Sequence, residues 1–346
     1  MKRLIINQDI FRNNNNTISD NFISKKQNRF SLKSFAVIAF VMLFTVNAFS
    51  QQIPLFSNYI FDKTTINPAF IGSNTFLNAT LGMKKQFMGF DNAPQTEFLN
   101  LNMPIQAKRM GIGIRVIQDK LGVTKNNIGM LGYSYHIRIG EGKLFMGIEA
   151  GVYNQSIGFD ELIKNDVVDN AIPVTKESKT VFNATFGMMY NTKKYYIGFS
   201  MPQLIKSKID YTELERDKIA HLWNHLYFMG GYQYEISDKF KLEPSFLLKY
   251  VKGVPMQIDI NAEFTYNNLL TIGAGYRTTA AIVGLFKISK TINSDGDLIS
   301  IGYNYDYLTT ELANYSSGAH EVMIQYAKKL APPARKVKVD PRYYIK

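Results

Sequence analysis

The chain of 346 residues contains no cysteine and only one tryptophan. The absence of cysteine excludes disulfide bonds, thiolate metal sites, a cysteine nucleophile and the lipid-bearing cysteine of a bacterial lipoprotein. Long apolar runs are also scarce. The single continuous one, residues 35–44, is too short to cross about 30 Å of hydrocarbon as a helix. Any attachment to a membrane must therefore come from the fold.

Residues 35–44 instead have the character of the hydrophobic region of a signal peptide. Four basic residues between positions 25 and 33 precede this segment, and Ala48 and Ser50 are small residues at a cleavage position. We therefore predict that residues 1–50 are a signal peptide with an extended amino-terminal region and that the protein is exported. The alternative is a buried core helix.

Positive charge is concentrated at the two ends of the chain. The formal net charge is +12, of which residues 1–50 carry +5 and residues 328–346 carry +6, and subtracting both leaves +1 for residues 51–327. Basic ends on a nearly neutral body do not form the continuous basic surface that is typical of nucleic-acid binding. We expect no nucleic-acid partner, and we interpret residues 328–346 as a basic periplasmic tail.

The body of the chain has the hydrophobic pattern of β-strands. The whole chain is rich in Tyr (21), Phe (24) and Gly (24). In the body, apolar residues alternate with polar ones in segments of about ten residues, the length that a tilted transmembrane strand needs. Residues 256–266 show this pattern most clearly. One face of this segment is apolar and consists of Met256, Ile258, Ile260, Ala262, Phe264 and Tyr266. The other face is polar and consists of Gln257, Asp259, Asn261, Glu263 and Thr265.

About fourteen such segments can be counted between residues 75 and 327. Their predicted starts are Thr75, Gln95, Met110, Asn127, Lys143, Lys179, Lys194, His225, Phe240, Pro255, Leu269, Ala280, Leu298 and Gly318. An even number of strands and an alternation of short and long connections are typical of bacterial outer-membrane barrels. We therefore predict an all-β protein with a transmembrane antiparallel β-barrel of about 14 strands at residues 75–327. A soluble β-sandwich or barrel, which also alternates, is the alternative.

The polar faces of these strands predict a polar barrel lumen. Five charged residues are expected to line it and to form salt bridges there: Arg115, Glu149, Asp259, Glu263 and Arg277. Catalysis by the paired carboxylates is the less favoured interpretation. His221 and His225 have a spacing that binds metal on a helix, but no third ligand accompanies them. We predict no catalytic, cofactor or metal site, and the absence of a catalytic set disfavours a lipase or protease barrel.

Several motifs resemble those of a known family. The segments Gln51-Gln-Ile-Pro-Leu-Phe-Ser-Asn-Tyr59 and Ile66-Asn-Pro-Ala-Phe-Ile-Gly-Ser73 resemble the opening signature of the PorP/SprF family of type IX secretion outer-membrane proteins. Residues 85–90, 93–96 and 317–322 are further similarities, and the resemblance covers nearly all of residues 51–327. Phe87 and Phe70 depart from the family pattern, which often has Trp and Tyr at these positions.

The resemblance implies an outer-membrane barrel of the Bacteroidetes that helps to secrete or to anchor large surface proteins. Such proteins are often adhesins of gliding motility, and they are bound through their C-terminal domains. The implied partners are therefore such a C-terminal domain, periplasmic components of the type IX secretion system and outer-membrane lipid. A porin or small-solute transporter is the alternative function.

Two regions of the sequence are candidates for function within this family. Residues 51–74 are interpreted as a periplasmic or plug segment, and its motif Asn67, Pro68, Ala69 and Phe70 is a turn, a buried plug or a partner contact. The long connections at residues 155–178 and 202–224 contain large apolar residues among charged ones, a composition that suits recognition. The predicted partner-binding residues of these loops are Phe159, Leu162, Ile163, Leu204, Ile205, Tyr211 and Trp223.

Overall fold

A computed structural model describes residues 56–90, 92–159, 175–209, 220–278 and 281–331. The predicted signal peptide, most of the predicted basic tail, and Leu162, Ile163 and Tyr211 lie outside the described residues. Within the described ranges, no helix is long and apolar enough to cross a bilayer.

Fourteen antiparallel strands form a closed barrel. Each strand pairs with the next along the chain, and the last strand pairs with the first, so Phe76 lies opposite Lys329. The predicted transmembrane barrel is confirmed. The strands are β1 (Phe76–Lys85), β2 (Gln95–Ile105), β3 (Met110–Leu121), β4 (Thr124–Ile139), β5 (Gly142–Gly158), β6 (Lys176–Asn191), β7 (Tyr195–Met201), β8 (His225–Tyr232, continued by Tyr234–Glu235), β9 (Phe240–Val251), β10 (Gln257–Tyr266), β11 (Leu270–Arg277), β12 (Ala281–Thr291), β13 (Leu298–Leu308) and β14 (Ala319–Lys329).

The alternation of side chains places the apolar face of each strand outward. In β10, Ile260 is 58% exposed on the outer surface while Asp259 is 2% exposed inside the barrel. Branched and aromatic side chains suit the lipid-facing side of such strands. For five strands, the predicted first residue is the first residue observed in the structure: β2, β3, β8, β9 and β13.

Three neighbouring strands are longer than the apolar pattern predicts. β4, β5 and β6 have 16, 17 and 16 residues, whereas β7 has only 7. β4 begins at Thr124 rather than at Asn127, and β6 begins at Lys176 rather than at Lys179. The added residues are polar, so they extend the backbone pairing without extending the apolar alternation.

The two ends of the barrel differ in their connections. Tight turns join β4 to β5 and β10 to β11, and in the second of these Asn267 and Asn268 both have positive φ, at 51° and 53°. This end also holds the start of β1 and the end of β14, and we call it the terminal end. The opposite end, which holds the long connections, is the loop end. In bacterial barrels the short turns are periplasmic and the long loops extracellular.

Residues 56–73 lie inside the barrel, and we call this segment the plug. It contains three 3-10 turns, at Ser57–Ile60, Lys63–Thr65 and Pro68–Phe70. The side chain of Asn67 caps the third turn by accepting a hydrogen bond of 2.9 Å from the N–H of Ala69. The plug runs from the loop end, near Phe56, to the terminal end, where β1 begins.

Candidate functional site

Six charged side chains inside the loop end of the barrel form one connected group. We call this group the loop-end ion-pair network, and it consists of Lys84, Lys249, Asp259, Arg277, Asp306 and Glu321. Lys84 Nζ lies 2.9 Å from Asp306 Oδ2 and 3.9 Å from Glu321 Oε2. Arg277 bridges Asp306 at 3.3 Å and Asp259 at 3.4 Å. Three cations thus balance three carboxylates, as burial of charge requires.

The network binds the first turn of the plug. The backbone N–H groups of Ser57 and Asn58 donate to the two carboxylate oxygens of Glu321, at 2.7 and 3.0 Å. The Ser57 hydroxyl donates to Asp306 Oδ1 at 2.8 Å. Hydrogen bonds to charged acceptors are stronger than neutral ones. The network therefore holds the plug at the loop end as well as balancing its own charges.

Tyr59 extends these contacts to β10. Its hydroxyl donates to Asp259 Oδ2 at 3.4 Å and accepts from Asn261 Nδ2 at 2.8 Å. The Tyr59 ring is 5% exposed. The plug is consequently bonded to β10, β13 and β14 near the loop end.

The middle of the plug is bonded to the opposite wall. Arg115 Nη1 donates to the carbonyl oxygen of Thr65 at 2.6 Å, and Arg115 also forms an ion pair with Glu149. The Ser200 hydroxyl donates to the carbonyl oxygen of Ile66 at 2.6 Å. These bonds satisfy plug carbonyl groups that would otherwise be buried without a partner.

The family motif residues Asn67 to Phe70 lie against β5, β6 and β7. The amide nitrogen of Asn67 donates to the carbonyl oxygens of Met188 and Phe199, at 3.1 and 3.2 Å. Asn67 and Ala69 are fully buried, and Phe70 packs edge to face against Tyr196 with ring centroids 5.6 Å apart. The motif is therefore both a local turn and part of a buried plug.

Two glycines in the wall make room for this motif. A Cβ atom at Gly147 would lie 2.4 Å from the carbonyl group of Pro68, and one at Gly187 would lie 2.0 Å from Oδ1 of Asn67. Only glycine allows so close an approach of plug and wall. Sequence reasoning missed this role, because an inward glycine in a strand has no pattern that distinguishes a plug contact from ordinary barrel geometry.

Lys63 faces Tyr196, Glu243 and Glu263 at the other side of the plug. Its Nζ lies 3.1 Å from Glu243 Oε1. The Lys63 ammonium group also lies 5.1 Å from the centre of the Tyr196 ring. Its ion pair with Glu243 attaches the plug to β9.

A small cavity lies between the plug and the wall. One cavity of about 40 Å³ is bordered by Ile66, Arg115, Gln203 and Tyr227. A buried water needs roughly 10–15 Å³, so this cavity has room for a few waters. Residues 56–73 thus occupy the interior of the barrel that the described residues form.

The five predicted lumen residues all face the interior. The structure brings Asp259 together with Arg277, and Arg115 together with Glu149. Glu263 is 7% exposed, and its Oε1 has no hydrogen-bond partner among the described residues. Arg115, Asp259 and Arg277 bond to the plug, and Glu149 pairs with Arg115. Within the described ranges, no cluster of His, Asp and Glu has a geometry that could hold a metal ion.

The second long connection folds over the loop end of the plug. Lys208–Ile209 pairs with Ala220–His221, and Ile209 and Leu222 pack in one apolar cluster with Phe56. Of the predicted partner-binding residues, Phe159 is buried and Trp223 is half-buried. Leu204 and Ile205 are each 40% exposed.

Several solved outer-membrane proteins are similar in overall shape. The toluene transporter TbuX of Ralstonia pickettii has a TM-score of 0.47 at 12% identity, over 78% of this chain and 93% of that chain. A FadL homologue of Pseudomonas aeruginosa has a TM-score of 0.42 at 11% identity, over 77% of this chain and 93% of its own. Omp33 of Acinetobacter baumannii has a TM-score of 0.40 at 4% identity, over 74% of this chain and 99% of that chain. No curated protein matches the chain.

The family comparison covers the plug and nearly the whole barrel. The family described as type IX secretion system membrane protein PorP/SprF matches residues 48–326. This range includes the motif Asn67 to Phe70 and all six residues of the loop-end ion-pair network. The chain therefore belongs to the PorP/SprF family of type IX secretion outer-membrane β-barrels.

Proposed function

We propose that this barrel is a non-enzymatic anchor that binds a large secreted surface protein, such as an adhesin, through that protein's C-terminal domain. The filled lumen is the observation that carries this proposal within the family. When the plug occupies the interior of the barrel, the outer surfaces are the part of the protein that is available to bind a partner.

The loop end supplies the surface for the partner. Surface loops carry recognition while the strands hold the scaffold. Leu204 and Ile205 are exposed apolar residues beside charged ones, Lys206 and Lys208, a composition typical of an interface centre with a polar rim. The predicted loop residues Leu162, Ile163 and Tyr211 belong to the same two connections.

The terminal end supplies a second, basic surface. Lys108 and Arg109 are exposed in the turn between β2 and β3, and Lys193 and Lys194 are exposed in the turn between β6 and β7. Basic groups favour a partner with an acidic surface. We propose that periplasmic components of the type IX secretion system contact this end.

The function is tested by shortening each long connection in the native host, at residues 160–174 and 210–219. We expect that each deletion releases the surface protein into the medium while the barrel remains folded, as judged by heat-modifiable migration. The measurement is quantitative mass spectrometry of the surface and the medium, compared with a strain that lacks the barrel. The same deletion variants are purified for single-channel conductance.

A porin predicts the opposite result. If surface proteins stay in place in the strain that lacks the barrel, and wild-type barrel conducts ions in planar bilayers, the anchor proposal is wrong and the small-solute transporter is supported.

A further inference from the structure

Two lysines face each other on the outer surface of the barrel near the loop end. Lys120 on β3 lies directly opposite Lys125 on β4 in the strand register, and both side chains are exposed. They share the outward face with the exposed residues Val116 of β3 and Leu131 of β4, which lie an even number of residues away. Like charges directly opposite each other destabilise a sheet. We call Lys120 and Lys125 the outer lysine pair.

The protein itself supplies no counter-charge to this pair. In the described part of the chain, neither lysine forms an ion pair. On the outer face of β1 to β5, the nearest acidic residue is Glu97, whose Oε1 accepts a hydrogen bond of 2.9 Å from Gln95 Nε2. On its other side, Lys125 has the uncharged Ser156 opposite it on β5. Both charges are therefore available to an anion from outside the protein.

The outer lysine pair lies just beyond the apolar band of the barrel. On β3 the outward residues are apolar from Ile112 to Val116 and polar at Gln118 and Lys120. Four residues separate Lys120 from Val116, which is roughly 13 Å along the strand. The height above the apolar band is smaller, because the strands of such barrels are tilted. A lysine side chain at this depth reaches the headgroups of the outer leaflet.

A shallow apolar notch lies in the wall below the pair. Gly129 is on the outward face of β4, between the exposed residues Val116 of β3 and Val152 of β5 in the strand register. A Cβ atom at Gly129 would meet nothing within 4 Å. Between the notch and the lysines, Gln118 Nε2 donates to Asn127 Oδ1 at 3.1 Å. From the loop end downward, the surface thus presents positive charge, amide groups and an apolar notch.

This order of groups suits a lipid that carries phosphate on its headgroup. An ammonium group binds phosphate as a point charge with three donors. Directly opposite residues of a sheet have Cβ atoms about 4.5–5.5 Å apart, so the two ammonium groups can contact one phosphate group. The amide groups match the hydroxyl and carbonyl groups of a glycolipid headgroup, and the notch matches an acyl chain.

We infer that Lys120 and Lys125 bind a phosphate group of an outer-leaflet glycolipid, and that an acyl chain of the same lipid lies over Gly129. The outer wall of β3 and β4 is then a specific lipid site and not only an apolar surface in contact with the bilayer. This inference does not depend on the anchor function, which concerns the long connections of the loop end.

Native mass spectrometry of the full barrel, purified from membranes in detergent micelles, tests the site. The probes are lipid A with its phosphate groups, the same lipid A after removal of the phosphate groups, and inorganic phosphate alone. The test variant is Lys120→Gln/Lys125→Gln. The matched control is Lys193→Gln/Lys194→Gln, which removes the same charge from an exposed turn at the terminal end. Lys120→Arg/Lys125→Arg keeps the charge of the pair.

We expect the wild-type barrel to bind phosphorylated lipid A at least tenfold more tightly than the form without phosphate. The glutamine variant of the outer lysine pair should lose this preference, and the arginine variant and the turn control should keep it within twofold. Inorganic phosphate alone should bind at least tenfold more weakly than lipid A, because it has no acyl chain to occupy the notch. Heat-modifiable migration first confirms that each variant is folded.

Three results overturn the inference. The first is equal binding of the two forms of lipid A by the wild-type barrel, and the second is an undiminished preference in the folded glutamine variant. The third is an equal loss in the turn control, because net charge rather than the outer lysine pair would then determine binding. If inorganic phosphate binds as tightly as lipid A, the pair is an anion site and its assignment to a lipid is wrong.

Discussion

Lys84 and Asp306 form an ion pair of 2.9 Å in which both side chains are almost completely buried. Lys84 lies on β1 and Asp306 on β13, so the pair reaches across β14 and over the seam where the barrel closes. The same carboxylate accepts a hydrogen bond from Ser57 of the plug. One ion pair therefore joins the closure of the wall to the retention of the plug.

Lys84→Met tests this joint role, with Lys85→Met as the matched control. Removal of one member of a buried pair typically costs about 3–5 kcal/mol, because the remaining carboxylates are uncompensated. Lys85 is the exposed neighbour, and its replacement should have an effect of about 0–1 kcal/mol. The measurement is the urea midpoint of unfolding in detergent micelles. Equal midpoints for the two variants would contradict the role given to the loop-end ion-pair network.

Gly147→Val should displace the plug and leave the wall folded. The new side chain meets the Pro68 carbonyl group, and overpacking of this kind typically costs about 1–3 kcal/mol. Gly129→Val is the control, since a Cβ atom at Gly129 meets nothing within 4 Å. We expect single-channel conductance to increase in the Gly147 variant only. An unchanged conductance in a folded Gly147→Val barrel would mean that the plug is not what closes the lumen.

Ile260→Arg and Asn261→Arg should fail in different ways. Ile260 faces lipid, and arginine near the middle of the bilayer costs about 2–4 kcal/mol, so insertion should be impaired. An aqueous lumen predicts that arginine at 261 is tolerated, but Asn261 is buried against Tyr59, so the variant should insert and lose its plug contact. Heat-modifiable migration measures the first effect and conductance the second. The same defect in both would show that the facing of β10 is wrong.

Asp297 gives the end of β14 a pH dependence. Its carboxylate accepts a hydrogen bond of 2.9 Å from the Lys329 N–H, which is the largest cause that lowers the pKa of Asp297, and the Tyr326 hydroxyl and Asn293 amide act in the same direction. Because the pKa of Asp297 is lowered in the folded state, its ionised carboxylate stabilises the fold at pH values above the ordinary aspartate pKa. This stabilisation is lost as the pH falls through the lowered pKa.

We therefore expect hydrogen-exchange protection of the Lys329 amide to fall on acidification in the wild type, and to be low and independent of pH in Asp297→Asn. Asp295→Asn, a change in the same turn, should behave as the wild type. Protection that is insensitive to pH in the wild-type protein would remove Asp297 from this role.

The barrel was accessible to sequence reasoning because its signal is local. In a strand such as 257–266, apolar and polar residues alternate with a period of two, which predicts that Ile260 faces outward. The lengths of the connections can be read from the sequence, so the number of strands was predicted as well. The loop-end extensions of β4 and β6 were missed, because Lys125 and Ser178 are polar and the apolar alternation stops before the strand pairing does.

The plug contacts were not accessible in the same way. Asn67 and Met188 are 121 residues apart, and nothing near either residue indicates the other. The plug turns are 3-10 segments of three or four residues, too short to show a period. The resemblance marked the Asn67 motif, but only the assembled barrel shows which carbonyl groups its amide reaches.

The filled interior also bears on the barrier function of the outer membrane. An open pore of similar strand number would admit small hydrophilic compounds, antibiotics among them, in proportion to the number of copies inserted. A barrel whose interior is occupied by residues 56–73 does not add such a path. We therefore expect that the sensitivity of the cell to hydrophilic toxic compounds does not depend on how much of the barrel it makes.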